Sequence, residues 1–142
     1  MIYVLDTNVI IRYLSKDENV KNHFRQAAFD GSKLLIPRAV DYEVCRGLKM
    51  SSAKRKTIVY TNMTSPAPTG QCEIVDMGEN VWELSKQIYV NLYQKGFTVG
   101  EIDILIAAFC LHHNYPLVTS NTKDFTNIKG LNLINWQKSQ SF

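Results

Sequence analysis

The sequence predicts an α/β fold, a three-layer sandwich around a central, mostly parallel sheet of five strands. Two observations carry this. Short β-prone apolar runs alternate with longer segments whose apolar residues recur at helical spacing, and such alternation predicts parallel strands, right-handed crossovers and helices on both faces. The runs also stop at residues that suit helix starts or turns, as Ile2–Leu5 does at Asp6, Thr7 and Asn8. At 142 residues the chain fits one domain, 1–142, large enough to bury roughly two thirds of its unfolded surface.

Ile2–Leu5 is the first strand, and Val9, Ile10, Tyr13 and Leu14 on one face give a helix over about 8–15. Val20, Phe24 and Ala28 stripe a second helix that ends at Asp30 and Gly31. Leu34, Leu35 and Ile36 form the next strand, and Pro37 stands at the first position of a helix whose core face is Val40, Val44 and Leu48, with Glu43 beside it. A further helix fits Ala53–Met63, and Pro66, Pro68 and Gly70 mark a surface loop. Glu73, Ile74 and Val75 make a third strand, and Val81, Leu84, Ile88 and Leu92 a longer helix ending at Gly96. Thr98 and Glu101 match a capping box opening a helix with Ile102, Leu105, Ile106, Phe109 and Cys110 at core spacing. Leu117 and Val118 form the fourth strand, and Leu131, Leu133 and Trp136 the last.

Composition excludes several classes. Hydrophobic residues at 45% and charged residues at 20% are ordinary for a globular domain, so neither disorder nor a fibrous fold is expected. The longest uncharged apolar run, Ile104–Leu111, is too short to cross a bilayer, and Met1 opens directly on a strand without an export leader, which leads to the expectation of a cytoplasmic protein. Cys45, Cys72 and Cys110 are odd in number and widely spaced, as buried small hydrophobes are. His23, His112 and His113 show no zinc spacing and no nucleophile to serve. The net charge of +3 is too mild to establish a nucleic-acid partner, but acids gathered in one cleft would leave the remaining surface more basic.

Four acids could gather in that way. Asp6 follows the first strand, Glu43 lies on the helix after the second, Asp103 opens a helix, and Asp124 follows the fourth strand. Each has an ordinary reading alone: Asp6 as a helix cap, Glu43 as a solvated helix residue, Asp124 as a turn former. Asp103 resists one, because it sits within the apolar run of a buried helix. Asp41 reads as an acid near a helix start, and Glu101 as the capping-box partner. Carboxylates within roughly 4–6 Å of one another raise each other's pKa values and need a counter-charge. An all-oxygen site suits Mg²⁺ or Mn²⁺, which can activate water towards a phosphodiester.

The opening VLDTNVIIRYL, the Glu43 helix, EIDILIAA and VTSNTKDF resemble, in order, the four sequence blocks of PIN-domain nucleases, and specifically the VapC-like toxins of toxin-antitoxin pairs. The ending GLNLINW resembles that family's final strand. The resemblance spans nearly the whole chain and implies a PIN-like fold and a metal-dependent endoribonuclease. It implies that Asp6, Glu43, Asp103 and Asp124 are catalytic, with Asp6, Asp103 and Asp124 on Mg²⁺ or Mn²⁺ and Asp124 acting through water. Asn8, Thr119 and Asn121 would orient carboxylates, water or phosphate. It further implies an RNA substrate, an antitoxin partner and a homodimer, with no membrane association. One departure stands out: the junction before Glu43 often carries Ser or Thr in the family, and here it holds Pro37 and Val40.

Arg46, Lys49, Lys54, Arg55 and Lys56 form a basic stretch that reads equally as a solvated face and as an RNA contact. Tyr89 and Tyr93, at helical spacing, read as core or dimer contacts rather than base-stacking platforms. Two rivals to a nuclease were weighed. A haloacid-dehalogenase-like phosphatase needs an acid two residues after Asp6, where Asn8 stands, and no glycine-rich phosphate loop is present. A PIN-like module that binds RNA or protein without turnover would have no use for four clustered acids.

Overall fold

A computed structural model describes residues 1–137, so the last five positions of the expected domain lie outside the described residues. The chain runs β1 (Ile2–Leu5), α1 (Thr7–Leu14), α2 (Glu18–Phe29), β2 (Lys33–Pro37), α3 (Arg38–Ser51), α4 (Lys54–Met63), β3 (Cys72–Val75), α5 (Glu79–Gln94), α6 (Glu101–His113), β4 (Leu117–Val118), a short 3-10 helix (Thr122–Phe125) and β5 (Leu133–Ile134). All ladders among the five strands are parallel, in the order β3-β2-β1-β4-β5.

That order positions the site. The chain steps outward from β1 to β2 to β3, then crosses back to β4 on the other side of β1. With right-handed crossovers, this reversal puts α5 and α6 on the sheet face opposite the earlier helices and opens a crevice between β1 and β4 at their carboxyl ends. Register confirms the adjacency: Leu5 pairs with Val118, and the Asp6 amide donates to the Val118 carbonyl at 2.9 Å. Asp6 and Thr119 therefore leave neighbouring strands side by side at the switch point.

The core follows the apolar spacing closely. Val4, Leu5, Val9, Ile10, Leu14, Leu34, Ile36, Val40 and Val44 are all buried. In α2 the buried residue is Ala27 and the exposed one Ala28, a phase shift of one position that moves the inward face by about 100°. Trp136 lies beyond β5 in a turn but is buried, with ring centroids 5.3 Å from Tyr3 and from His23 and 5.6 Å from Phe24. Cys72 and Cys110 are buried and Cys45 half-buried, all as free thiols. Burial pushes the Cys72 thiol up to about 12, which keeps it protonated. No helix of the described residues is long and apolar enough to cross a membrane.

Three expectations are corrected. Pro37 is the last residue of β2 and the N-cap of α3, one position before the helix. Of the two readings of Tyr89 and Tyr93, core or dimer contact, the core one fails, since both are exposed on α5. The capping box does not form. Helix α6 begins at Glu101, capped by Gly100 without a side-chain bond, so Thr98 stands too early to reach its amides. The helix amino terminus is left to Asp103. A Cβ on Gly100 would lie 3.6 Å from Asp103 Oδ2, so this carboxylate folds back over the first turn, where the helix dipole favours negative charge.

Candidate active site

A cleft of about 680 Å³ opens at the switch point, lined by Asp6, Thr7, Asn8, Ile11, Arg12, Ser15, Asp17, Glu43, Asp103 and Asn121. The end of β1 and the exposed face of α1 form one wall, and α3 and α6 contribute Glu43 and Asp103.

Asp6 is the most constrained of the acids, 3% exposed and bonded on both oxygens. Its Oδ1 accepts the Thr7 amide, the first of α1, at 2.8 Å, so Asp6 closes the helix start one position earlier than a usual N-cap does. Its Oδ2 accepts the Thr119 hydroxyl at 2.8 Å and the Asn8 side-chain amide at 3.0 Å. Burial raises the Asp6 pKa, the bond from Thr119 opposes that rise most, and the Glu43 charge adds to it. Asn8 in turn accepts the Ser120 amide at 3.0 Å, and Thr119 Oγ1 accepts the Asn121 amide at 3.0 Å. The ends of β1 and β4 are thereby knitted around a single carboxylate.

Glu43 receives the Thr7 hydroxyl on Oε1 at 2.6 Å. Thr7 thus bridges two acids, Asp6 through its amide and Glu43 through its hydroxyl. The hydroxyl bonded to Glu43 therefore comes from α1, not from the junction at Pro37 and Val40. Arg46 NH2 stands 4.0 Å from Glu43 Oε2 while its guanidinium lies 4.9 Å from the centre of the Tyr42 ring.

Asp103 is half-buried, and its pKa is pushed up to about 6, first by burial and then by the negative charges of Asp6, Asp124 and Glu43. Asp124 is exposed on the 3-10 helix and outside the residues that line the cleft, so it acts on Asp103 through its field. The four predicted acids thus share one edge, three in the cleft and one at its margin.

Asn8 and Thr119 bond Asp6 directly, and Asn121 lines the cleft. The basic stretch divides. Arg55 donates to the Leu14 carbonyl at 2.6 Å, closing the end of α1, and Lys56 Nζ reaches Ser15 Oγ at 3.2 Å. Lys49 and Lys54 are exposed. Sequence reasoning missed Thr7, Arg12 and Asp17. A signal for Arg12 existed, since 8, 12 and 15 follow one another at helical spacing and fall on the face that starts at the cleft.

The donor set fits a hard divalent cation. Oxygens of carboxylates, amides and hydroxyls line the cleft without thiol or imidazole, and the field on Asp103 calls for positive charge. Among the described residues, no group of three His, Cys, Asp or Glu side chains is set to hold an ion by itself.

A family model described as the PIN domain matches residues 3–131. Ribonuclease VapC2 of Rickettsia felis is 28% identical over 138 residues, covering 97% of this chain and all of that protein. The tRNA(fMet)-specific endonuclease VapC of Salmonella typhimurium is 24% identical over 135 residues, 94% of this chain and 97% of the relative. The crystal structure of VapBC2 from Rickettsia felis bound to a DNA fragment from their promoter contains a chain that superposes with a TM-score of 0.80 at 27% identity, covering 96% of this chain and 99% of that one.

Proposed function

The chain belongs to the PIN domain family, and on that premise we propose that it is an endoribonuclease, the toxin half of a toxin-antitoxin pair, hydrolysing RNA phosphodiester bonds with Mg²⁺ or Mn²⁺. The observation that carries this reading is the convergence of Asp6, Glu43 and Asp103 in one cleft at the strand switch point, with Asp124 close enough to act on Asp103. The ribonuclease names of relatives that match along their whole length support the activity, and the VapBC complex supports a protein partner.

Asp6 and Asp103 would hold the cation, with Asp124 contributing to its binding through water. Bound there, the ion would polarise the phosphodiester and make water a better nucleophile. Asp6 is held in place for this by Thr7, Asn8 and Thr119, so no side-chain ordering is left for the moment of reaction. Glu43 keeps Oε1 on the Thr7 hydroxyl and offers Oε2 to accept the proton of the attacking water. The protein acts in the cytoplasm as a homodimer, and its antitoxin silences it by occupying the acidic groove.

The test is RNA cleavage by purified parent, Asp6→Asn and Asp103→Asn proteins in Mg²⁺ or Mn²⁺. Both variants are expected to fold and to lose cleavage, and either one cutting as fast as the parent would show the assignment to be wrong. Binding of RNA without cleavage by the parent at any Mn²⁺ concentration would favour a module without turnover. Growth arrest on expression, relieved by a small co-expressed partner, is expected of a toxin.

A further inference from the structure

The acidic cleft also contains a guanidinium. Among the described residues that line it, Arg12 is the one cation. It sits in the last turn of α1, one helical turn after Asn8, whose side-chain amide bonds Asp6. Arg12 NH1 lies 3.7 Å from Asp17 Oδ2, and Asp17 is itself fixed, since its Oδ1 accepts the Val20 amide at 3.1 Å to cap α2. With the Gln137 amide oriented as hydrogen bonding requires, its oxygen accepts from Arg12 NH1 at 2.8 Å and from NH2 at 3.0 Å. The Arg12 side chain nonetheless keeps 40% of its exposure. It is a held guanidinium that still faces solvent.

A polyanion entering this cleft meets Asp6, Glu43, Asp103 and Asp17. A cation at the Asp6 and Asp103 end offsets the repulsion for the reacting phosphate alone. One turn of helix advances about 5.4 Å, on the scale of the step between successive phosphates along an extended strand, and Arg12 lines the same cleft as Asp6 and Asp103. A strand whose reacting phosphate lies over Asp6 and Asp103 therefore brings a neighbouring phosphate within reach of Arg12. A guanidinium suits this task because its planar fork matches two phosphate oxygens and it stays charged beside any acid. The residues of the basic stretch do not line the cleft: Arg55 lies on the Leu14 carbonyl, Lys56 on Ser15 and Arg46 over Tyr42, and Lys49 and Lys54 are exposed.

We propose that Arg12 grips the RNA phosphate adjacent to the scissile one, with Asp17 holding the guanidinium ready and weakening its grip by competition. This rests on the ribonuclease reading of the cleft. The experiment measures binding of a fluorescein-labelled single-stranded RNA to the full chain in Ca²⁺ over a range of salt, with RNA integrity followed on gels. Arg12→Gln is expected to raise Kd about tenfold and to flatten the dependence of log Kd on log salt by about 0.7, the loss of one phosphate contact on a single strand. Arg12→Lys is expected to restore the salt slope and only part of the affinity.

Asp17→Asn separates this role from a merely structural one. Asparagine caps α2 as well as aspartate does, so the helix is retained while the competing charge goes, and RNA binding should tighten severalfold. Unchanged Kd and slope in Arg12→Gln would overturn the proposal. Weaker binding in Asp17→Asn would overturn it too, by showing that the pair serves only as a tie between α1 and α2. Cleavage in Mn²⁺ is read separately. A parent that cuts RNA while Arg12→Gln binds it unchanged defeats the phosphate contact alone; a parent that binds through Arg12 and never cuts defeats the ribonuclease reading alone.

Discussion

Helix α3 carries two acids two positions apart, and their surroundings are opposite in character. Asp41 Oδ1 accepts the Tyr60 hydroxyl at 2.8 Å and the Cys45 thiol at 3.4 Å, and Arg38 stands 3.6 Å from Oδ2. Burial and the Asp41 carboxylate push the Tyr60 phenol up, so it remains a donor at any ordinary pH. Glu43 has one neutral donor, Thr7, an Arg46 at 4.0 Å, and shares the cleft with Asp6 and Asp103. Asp41 joins α3 to α4 in an arrangement complete within the chain. The cluster around Glu43 has more acids than bases, Asp6, Glu43, Asp103 and Asp17 against Arg12 in the cleft and Arg46 at 4.0 Å, so an added cation would complete it. An acid whose bonds and counter-charge are complete is structural, and a group of acids with too few bases beside it suits a cation.

The largest effect expected from this contrast is on catalysis. Asp103→Asn or Asp6→Asn should lower RNA cleavage by at least about a hundredfold, as removal of a group that stabilises developing charge does. Asp41→Asn should stay within about threefold of the parent in the same assay. If Asp41→Asn loses as much as Asp103→Asn, the distinction between the two kinds of acid fails.

The second effect reverses the ranking, because it concerns stability. Asp41→Ala leaves the buried Tyr60 hydroxyl without its acceptor and should cost about 2 kcal/mol, or roughly 4–8 °C in Tm. Glu43→Ala relieves repulsion as it removes the bond from Thr7, and its change should lie within about 0.5 kcal/mol. Thermal melts in EDTA measure both. Near-equal losses in the two variants would mean that Glu43 is as much a structural acid as Asp41.

How much of this was legible in the sequence depends on the range of the interaction. Asp6 and Asp103 could be found because Asp6 ends the apolar run of β1 and Asp103 interrupts that of α6. The sheet and its parallel ladders followed from alternation alone. The Thr7 to Glu43 bond joins residues 36 apart on different helices, and no periodicity encodes it. The capping box failed for a related reason. Thr98 and Glu101 have the right spacing, but the helix start is set by where α6 packs and where Asp103 folds back, and those are tertiary facts. Arg12 was hidden by its company, since the stretch Ile10 to Leu14 reads as core until the cleft shows which side of α1 is open.

The Thr7 bond gives the third prediction. Thr7→Val keeps the shape of the side chain and the amide that caps on Asp6 while removing the hydroxyl from Glu43 Oε1. Cleavage should fall about tenfold, the equivalent of one charge-assisted hydrogen bond, with Tm nearly unchanged. Thr7→Ser should restore most of the rate. If the valine variant keeps full activity, Glu43 needs no partner to hold it.

The smallest expected effect bears most directly on the missing counter-charge. The folded pKa of Asp103, about 6, lies above its ordinary value of 3.8, so the folded chain binds this proton more tightly than the unfolded chain does. The ionised group therefore costs stability at pH 7, and the parent should lose stability as pH rises through the window from about 4 to about 6. Asparagine fills nearly the same volume without the charge, so in EDTA at pH 7 Asp103→Asn should be the more stable protein. Allowing for solvent screening of a half-buried carboxylate, the gain is on the order of 1 kcal/mol, about 3 °C in Tm. Near pH 4 the gain should vanish, because the parent is then protonated as well. Saturating Mn²⁺ should reverse the order at pH 7, since an ion that binds only the folded state stabilises it by mass action and the variant has lost a ligand. A parent already more stable than Asp103→Asn in EDTA would mean that the four acids find enough positive charge within the chain, and the difference between the Asp41 and Glu43 environments would no longer mark a metal site.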